Sequence, residues 1–517
     1  MSDSQHKMQC GQDMPLFTPA QRELATAISR LGYVNPFQIE RVELERQILG
    51  DQFEGAQAVW SLQLAATAPD PNYQRIATHA AALVRDAAER LAAGAKADER
   101  ELELYSDGVL YYLFDAYRIE LQEMIEAAHA GQPATQVPFW RKFRDDVSRY
   151  FTPGGRQLGI GYDPAHMIAC YFQLRRAFFH VFFFIVGRSP AAARLRSMVW
   201  ESVFTHDLRR YQRSIYRCLG DVTTLITGPS GTGKELVARA IGLSRYIPFD
   251  GERGRFVEDF CAGFHPVNLS ALSPTLIESE LFGHRRGAFT GAVADRVGWL
   301  ETCPTNGAVF LDEIGELDAS IQVKLLRVLQ SRMFQRLGDT AERRFSGKVI
   351  AATNRNLIAE IDAGRFREDF YYRLCADRIT TPTLREQLDE SPEDFEHLLV
   401  VSARRVAPEE AESLAAEVSE WISKHLGPHY PWPGNVRELE QCFRNVMIHG
   451  AYTPAAAAKS AGEDWESTAR SIRGGELTAE ELLRRYCRIV HAHCGSYEQT
   501  AKRTGLDWRT VKKKLAE

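Results

Sequence analysis

"TTLITGPSGTGKELVARAIG", Thr223 to Gly242, reads as a strand, a glycine-rich loop and a helix, in the order a phosphate-binding P-loop requires. Gly228, Gly231 and Gly233 let backbone N–H groups turn inward around phosphate oxygens, with Pro229, Ser230 and Thr232 completing the turn. Lys234 puts a cation on the β/γ pair of a nucleotide, and the helix N-terminus adds its dipole. Taken without its flanks the loop would be a mere glycine-rich turn; the strand before it and the helix after it argue for the P-loop. Glu235 stands where most P-loops carry the Ser or Thr that touches Mg²⁺, so a metal here must lean on other ligands or on water.

Outward from this loop, short apolar runs keep alternating with helical stretches: "HPVNLS", "AVFLDE", "IQVKLLRVLQ", "GKVIAATN". Such alternation implies a parallel sheet covered on both faces, and residues 184–380 are expected to form one α/β domain. Its run "GAVFLDEIGEL" ends in Asp312 and Glu313. An acid at the carboxyl end of a strand beside a P-loop holds Mg²⁺ through the nucleotide, and the next acid polarises the attacking water. Alone, "DE" after a strand carries little; paired with the P-loop it carries a great deal.

The rest of the chain is helical. Residues 1–183 give helix after helix, with Thr18 and Pro19, then Asn35 and Pro36, as starts and Gly32 and Gly50 as stops. Longer amphipathic stretches run from Asn72 to Ala93 and from Asp98 to Ala130. Residues 381–450 return to helix as a lid, 451–476 lack apolar periodicity and read as a linker, and 477–517 form a small basic piece. The fold class expected is therefore multidomain, with an all-α N-terminal domain, an α/β P-loop domain with a helical lid, and three C-terminal helices.

Nine scattered cysteines without a CxxC pair fit a reducing compartment better than a disulfide scaffold. The opening residues lack a basic start and an apolar run, so no secretory signal is read. "AFFHVFFFIVG", Ala177 to Gly187, is about half the ~20 residues a spanning helix needs and contains His180, so it reads as a buried strand or helix end. A soluble cytoplasmic protein with no membrane partner is expected. A net charge of -5 argues against wholesale coating of nucleic acid but says nothing against a small basic module at one end.

The run from "ITGPSGTGKE" through "ESELFGHRRGAFTGA", "GAVFLDEIGEL", "AATNRNL", "GRFREDFYYRL" and "YPWPGNVRELEQ" resembles the AAA+ module of bacterial sigma-54-dependent transcriptional activators. It covers roughly residues 185 to 450, with the motifs in the family's order. Glu235 after the P-loop lysine is usual in that family, whereas Pro229 replaces its common Glu. The resemblance implies ATP and Mg²⁺ as cofactors and assigns roles. Asn268 matches the switch asparagine that restrains the hydrolytic Glu313, Asn354 matches sensor I, and Arg437 matches sensor II on the lid. Arg367 and Arg373 match the arginine fingers, which reach across a subunit boundary and are worth about 10³ to 10⁵ in rate. From residue type alone, Asn268 reads as well as a strand-end Asn bonding local backbone, and either arginine as a surface ion-pair residue. Fingers acting in trans imply a ring, and the family forms hexamers.

"LFGHRRGAFTGAVADR", Leu281 to Arg296, frames Phe289 and Thr290 with Gly287 and Gly291. An aromatic on so loose a support reads as a surface turn whose Phe folds back onto the nearest apolar patch. The resemblance supplies the other reading: "GAFTGA" (Gly287, Ala288, Phe289, Thr290, Gly291, Ala292) matches the loop these activators project toward sigma-54. Three departures from the family stand out. Ser244 to Pro266 is a longer connection than usual, "TPTLREQ" places Gln387 where an Arg is commoner, and "LDESPEDFEHLL" is unusual. They bear on regulation and lid movement rather than on hydrolysis.

The C-terminal "LTAEELLRRYCRIVHAHCGSYEQTAKRTGLDWRTVKKKLAE" reads as a helix ended by Gly495, a second helix, a turn at Gly505 and a basic third helix. This is helix-turn-helix grammar, and it resembles the Fis-type module that usually ends these activators. Nine Lys and Arg against five Asp and Glu leave a positive balance suited to phosphate contact. Lys502, Arg503, Trp508, Arg509, Thr510, Lys512 and Lys513 are the candidates for reaching DNA, against a plain exposed basic tail. Cys487, His491 and Cys494 share one helical face, which reads as packing rather than as a zinc site. The front domain shows no strand–helix alternation and so no phospho-receiver; its aromatic runs read as core or as a clamp on the ATPase, with a ligand pocket as the lesser reading.

Together these features imply an ATP-driven activator. It would bind upstream double-stranded DNA, assemble as a homo-oligomer and remodel the sigma-54 polymerase holoenzyme. Two rivals remain open: an ATP-modulated DNA-binding repressor, and an AAA+ remodeller of another protein.

Overall fold

The computed structural model describes residues 15–55, 70–132, 135–155, 158, 162–428, 430–454, 471–475, 477–494 and 497–516; the opening residues, Gly495 and most of the expected linker lie outside them. The chain forms two compact units, Met1–Val401 and Ser402–Glu517.

Five parallel strands form the central sheet of the first unit: β1 (Thr224–Thr227), β2 (Phe264–Asn268), β3 (Ala308–Asp312), β4 (Lys348–Thr353) and β5 (Asp377–Thr380). Their order is β5-β1-β4-β3-β2. The strands are apolar because alternate residues enter two different cores. Leu225, Val309, Leu311 and Val349 face a core completed by the helices Pro274–Phe282, Ala319–Ser331 and Glu368–Leu374. Ile226, Phe310, Ile350 and Ile379 face the opposite way. They meet Val237 and Ile241 of the P-loop helix Lys234–Gly242, and Val199, Trp200 and Val203 of the helix Pro190–Phe204.

The helices ahead of the sheet follow their capping signals. Thr18 and Gln21 form a capping box at Pro19–Tyr33, Asp70 caps Pro71–Ala92, and Asp98 with Glu101 boxes the next helix. Two expectations fail locally. The stretch from 98 to 130 breaks at Tyr117 into Glu99–Ala116 and Arg118–His129, and the Tyr117 hydroxyl donates to Asp146 at 2.6 Å. Asn35 caps no helix. Its amide donates to the Ser197 carbonyl at 3.2 Å and to Glu201 at 3.1 Å, tying the first helices to Pro190–Phe204, and the second helix starts instead at Ile39. "AFFHVFFFIVG" largely completes the helix Pro164–Phe184, with His180 wholly buried 3.2 Å from the Ser244 hydroxyl. Among the described residues no helix is long and apolar enough to cross a membrane.

The helical region does not stand apart from the sheet. The long connection Ser244–Pro266 folds into it, and Ile247, Phe249, Phe256 and Phe260 belong to the same core as Phe143, Tyr171 and Phe172. Phe256 stacks on Phe172 with ring centroids 4.4 Å apart, and Phe249 tilts against Trp140 at 4.7 Å. Backbone pairing adds direction: Val137 N–H donates to Gly254 O and Phe256 N–H to Thr135 O. From the helix Pro164–Phe184, the buried Arg176 donates to the carbonyls of Leu243 (2.8 Å) and Arg245 (2.6 Å), and Gln173 to that of Ser244 (3.0 Å). The P-loop helix is therefore gripped at its C-terminal end by the helical region.

In the second unit, helices Ala411–His425 and Asn435–His449 pack together. The buried Glu438 accepts from Tyr430 Oη at 2.6 Å and Gly434 N–H at 2.7 Å, fixing the turn ahead of the second helix. Three C-terminal helices, Ala479–Cys494, Tyr497–Thr504 and Trp508–Ala516, contact one another around Cys487, Val490, Thr500 and Val511.

Candidate nucleotide site and the Gly287–Ala292 loop

β1 ends at Thr227, and the chain turns through Gly228 to Gly233 before the helix begins at Lys234. Gly228 has φ 153°, and a Cβ there would collide with the Thr381 hydroxyl, so only glycine fits. The Thr232 hydroxyl donates to Pro229 O at 2.8 Å and lies 2.7 Å from Thr381 Oγ1, bracing the turn against β5. The Lys234 ammonium lies over the loop, 3.0 Å from Gly228 O and 3.1 Å from Pro229 O. Glu235 faces along its helix to Arg239, with 2.8 Å between carboxylate and guanidinium.

The parallel register sets Asn268 of β2 opposite Asp312 of β3, at the carboxyl edge where ligands of open α/β sheets bind. Burial, then the adjacent Glu313, raises the Asp312 carboxyl above its ordinary value, while Lys234 opposes the shift. Glu313 adopts a left-handed backbone, φ 56° and ψ 49°, which costs a non-glycine residue on the order of 1–3 kcal/mol and recurs at functional positions. That turn swings its carboxylate toward β4, where Oε2 accepts the Asn354 N–H at 3.4 Å.

Asn268 departs from the expected switch contact. Its Oδ1 accepts the Ser270 N–H at 3.1 Å and the Ser270 hydroxyl at 2.9 Å, the local reading of a strand-end Asn, and the partner of Glu313 is Asn354. Arg367 forms a two-pronged pair with Asp369 at 3.0 and 2.7 Å, and its own N–H is anchored to Gln322. Arg373 is exposed on the following helix. Arg437, also exposed, lies on Asn435–His449 of the second unit. The fold thus brings together Lys234, Asp312, Glu313 and Asn354, and leaves both finger candidates on the surface.

The loop at 287–292 rises from a two-stranded stem that pairs Gly283 with Val297 and His284 with Arg296. Asp295 clasps its base by accepting the Arg286 N–H at 2.8 Å and the Arg285 guanidinium at 2.5 Å. The turn closes with Gly287 N–H to Ala292 O (2.8 Å) and Ala292 N–H to Phe289 O (3.0 Å). Phe289 is half-buried, meeting the His284 ring edge-on at 4.9 Å, and does not stand free as expected. Thr290 is exposed and Val293 is 82% exposed.

At the C-terminus all seven DNA candidates, Lys502, Arg503, Trp508, Arg509, Thr510, Lys512 and Lys513, are exposed. Asp507 holds the third helix by accepting the Arg509 N–H at 2.8 Å. Cys487 is wholly buried and His491 Nδ1 lies 3.0 Å from the Thr500 hydroxyl, so this face serves packing; the Cys494 side chain lies outside the described residues.

Two residues with evident roles, Arg176 and Asp394, carry no local sequence motif. Arg176 sits in an apolar helix, an odd place for an unpaired-looking cation, and that oddity was its signal. Asp394, inside the unusual "LDESPEDFEHLL", accepts the N–H groups of Arg188 (2.7 Å) and Ser189 (3.0 Å) and so anchors the start of Pro190–Phe204.

A five-stranded parallel sheet carrying a P-loop and a strand-end acid pair defines an AAA+ α/β domain. A family model described as the sigma-54 interaction domain matches residues 201–380. The chain is 43% identical over 228 residues to the Nif-specific regulatory protein of Enterobacter agglomerans, covering 44% of this chain and 40% of that protein. It is 45% identical over 231 residues to the hydrogenase transcriptional regulatory protein HoxA of Bradyrhizobium diazoefficiens, covering 44% and 43%. With the DNA-binding transcriptional regulator NtrC of Salmonella typhimurium it shares 36% identity over 338 residues, 59% of this chain and 68% of NtrC. The chain belongs to the family of sigma-54-dependent transcriptional activators. Its match to the Nif-specific relatives spans about two fifths of their length.

Proposed function

We propose that this protein is an ATP-driven transcriptional activator that binds upstream DNA, assembles as a ring and remodels the sigma-54 polymerase holoenzyme in the cytoplasm. The observation that carries the reading is the convergence of Lys234, Asp312, Glu313 and Asn354 at one sheet edge. The donor set suits ATP with Mg²⁺: inward-turning glycines and an ammonium for phosphates, and a strand-end carboxylate for a divalent cation. Asp312 would hold the ion, which when bound would neutralise phosphate charge. Glu313 would orient and deprotonate the attacking water, with the Asn354 N–H fixing its carboxylate. Its partly strained backbone suits a side chain that must be held in one direction.

Arg367 and Arg373 lie on the surface of their own subunit, which suits fingers that complete a neighbour's site and so favours a homo-oligomer, a hexamer by family likeness. Arg437 would sense nucleotide from the lid. The exposed Thr290 and the lightly held Phe289 suit a loop that is buried only in sigma-54. The three C-terminal helices, with seven exposed basic, aromatic and hydroxyl side chains, suit a helix-turn-helix over 477–517. Residues 1–183 would act as the regulatory part, 184–380 as ATPase core, 381–450 as lid and 451–476 as linker.

Two substitutions test this. Glu313→Ala should retain ATP binding, read by a fluorescent nucleotide analogue, and lose hydrolysis by 10²-fold or more, since a positioned general base contributes about 10² to 10⁴. Thr290→Ala should hydrolyse ATP normally yet fail to open a sigma-54 promoter in a permanganate footprint. Normal promoter opening by Thr290→Ala would overturn the loop assignment, and undiminished turnover by Glu313→Ala would overturn the site.

A further inference from the structure

A cavity of about 530 Å³ opens among the N-terminal helices, well inside the range of small-molecule sites. Aromatic rings supply much of its wall: Tyr73, Tyr111, Phe114, Tyr171, Phe178 and Trp200. Arg175 also lines it. Its side chain is only 7% exposed, its Nε has no hydrogen-bond partner, and its guanidinium makes no ion pair among the described residues. Buried cations are almost always paired; this one feels the charge of the exposed Glu126 on the same wall but has no carboxylate within ion-pair distance among the described residues, and facing a cavity it points to an absent anion.

Of the other charges in the wall, all but Glu123 are already engaged. Arg41 pairs with Glu45 at 2.7 Å, and Arg118 lies 3.5 Å from Asp115 and beneath the Tyr73 ring. Asp107 is taken by Ser29 and Tyr33, Asp70 caps its helix, and the exposed Glu126 accepts the Gln122 amide at 2.6 Å. Glu123 is exposed. That leaves Arg175 and the exposed Glu123; Tyr111 Oη and Gln122 Oε1 on the same wall also lack a hydrogen-bond partner, and Arg118 Nε has only its ion pair with Asp115. Burial, and secondarily the like charge of Arg118, pushes the Arg175 guanidinium down to about 10 against the opposing pull of Tyr73 and Glu126.

We propose that this cavity binds a small organic acid whose carboxylate is held by the Arg175 guanidinium and whose flat apolar body lies against Tyr171, Phe178 and Trp200. A planar guanidinium fork matches a carboxylate in two-pronged fashion. One cation without an ion pair amid aromatic rings is poorly matched to a strongly hydrated phosphate, and the rings favour a planar body. The position has a consequence. Arg175 lies on Pro164–Phe184, the helix whose Gln173 and Arg176 hold the end of the P-loop helix, so the ligand would bear on the very element that grips the nucleotide domain.

The test titrates the full chain with 1-pyrenebutyrate and with its uncharged counterpart 1-pyrenebutanol, following pyrene fluorescence. The acid should bind once per chain and at least tenfold more tightly than the alcohol. Arg175→Gln, which removes a buried charge, should abolish that preference. Gly32→Phe covers the independent case in which Arg175→Gln does not fold. Gly32 is exposed in a helix at the cavity mouth, and an added Cβ would meet only Tyr111 at 3.8 Å, so the new ring should block acid and alcohol alike. Equal affinity for the two probes, binding of neither, a preference that survives in folded Arg175→Gln, or unimpaired binding by Gly32→Phe would each overturn the proposal.

Discussion

Two long excursions leave the same sheet and look alike on paper. Residues 244–266 and 283–297 both mix glycines, charges and phenylalanines, and each precedes a strand of the core. In the folded chain they are opposites. The first places Phe249, Phe256 and Phe260 in the aromatic core of the helical region and pairs its backbone with residues 135–137. The second is held at its stem, and Phe289 meets one ring among the described residues, that of His284. What separates an anchor from a free loop is therefore what its aromatic rings can reach. Loop composition does not distinguish them.

The sharpest way to break this contrast is Phe256→Ala. The ring is 2% exposed and sandwiched by Phe172 and Phe249, so its loss leaves a cavity that rigid helices cannot close. Destabilisation of about 3–5 kcal/mol is expected in urea titration. The whole 15–401 unit should lose structure together, because the anchor joins the helical region to the nucleotide domain. A loss confined to the helical region, with the sheet melting at its old midpoint, would mean that the two are separable after all.

The same contrast shows which parts were legible in advance. β1, the P-loop and the strand-end acids follow from patterns within ten or twenty residues, and the cap at Thr18 follows from a pattern within four. Asn35, Phe256 and Asp394 have roles set by residues far away in the chain: Ser197 at 3.2 Å, Phe172, and the N–H groups of Arg188 and Ser189. No local pattern contains that information. Two of the three departures noted from the family, Ser244–Pro266 and "LDESPEDFEHLL", prove to be the segments that tie the helical region and the 185–204 stretch to the rest. Their unusual composition was the available signal. In the site, residue type pointed to Asp312 and Glu313 but not to orientation: Glu313 turns to Asn354, and Asn268 to Ser270, because backbone geometry at the two strand ends decides which neighbour each carboxylate or amide meets. A truncated chain beginning near Gly187 would also strip Phe249, Phe256 and Phe260 of their partners, so a changed ATPase rate in it would report exposed core as much as regulation.

The free loop should tolerate more, but its backbone sets a limit. Gly287 has φ 82° and open space around its Cβ position, so Gly287→Ala meets no clash and only conformational strain. A cost of about 1–2 kcal/mol is expected, confined to the loop and visible as faster amide exchange at 285–293 rather than as a shifted global midpoint. A global shift of several kcal/mol would mean that the loop is wired into the core.

Phe289→Ala should have the smallest effect on stability. The ring is half-buried and its contact is one edge-on pairing with His284, whose own position is fixed from beneath by Ser279 at 2.8 Å. An aromatic pair of this kind contributes about 0.5–1.5 kcal/mol beyond area burial. The expected loss is about 1 kcal/mol or less, several-fold below that of Phe256→Ala in the same urea assay. Near-equal losses for the two phenylalanines would mean that Phe289 is a core residue of its own subunit. A ring that costs so little to remove is one the fold can release, whereas the Phe256 ring cannot leave without taking the helical region's grip on the P-loop helix with it.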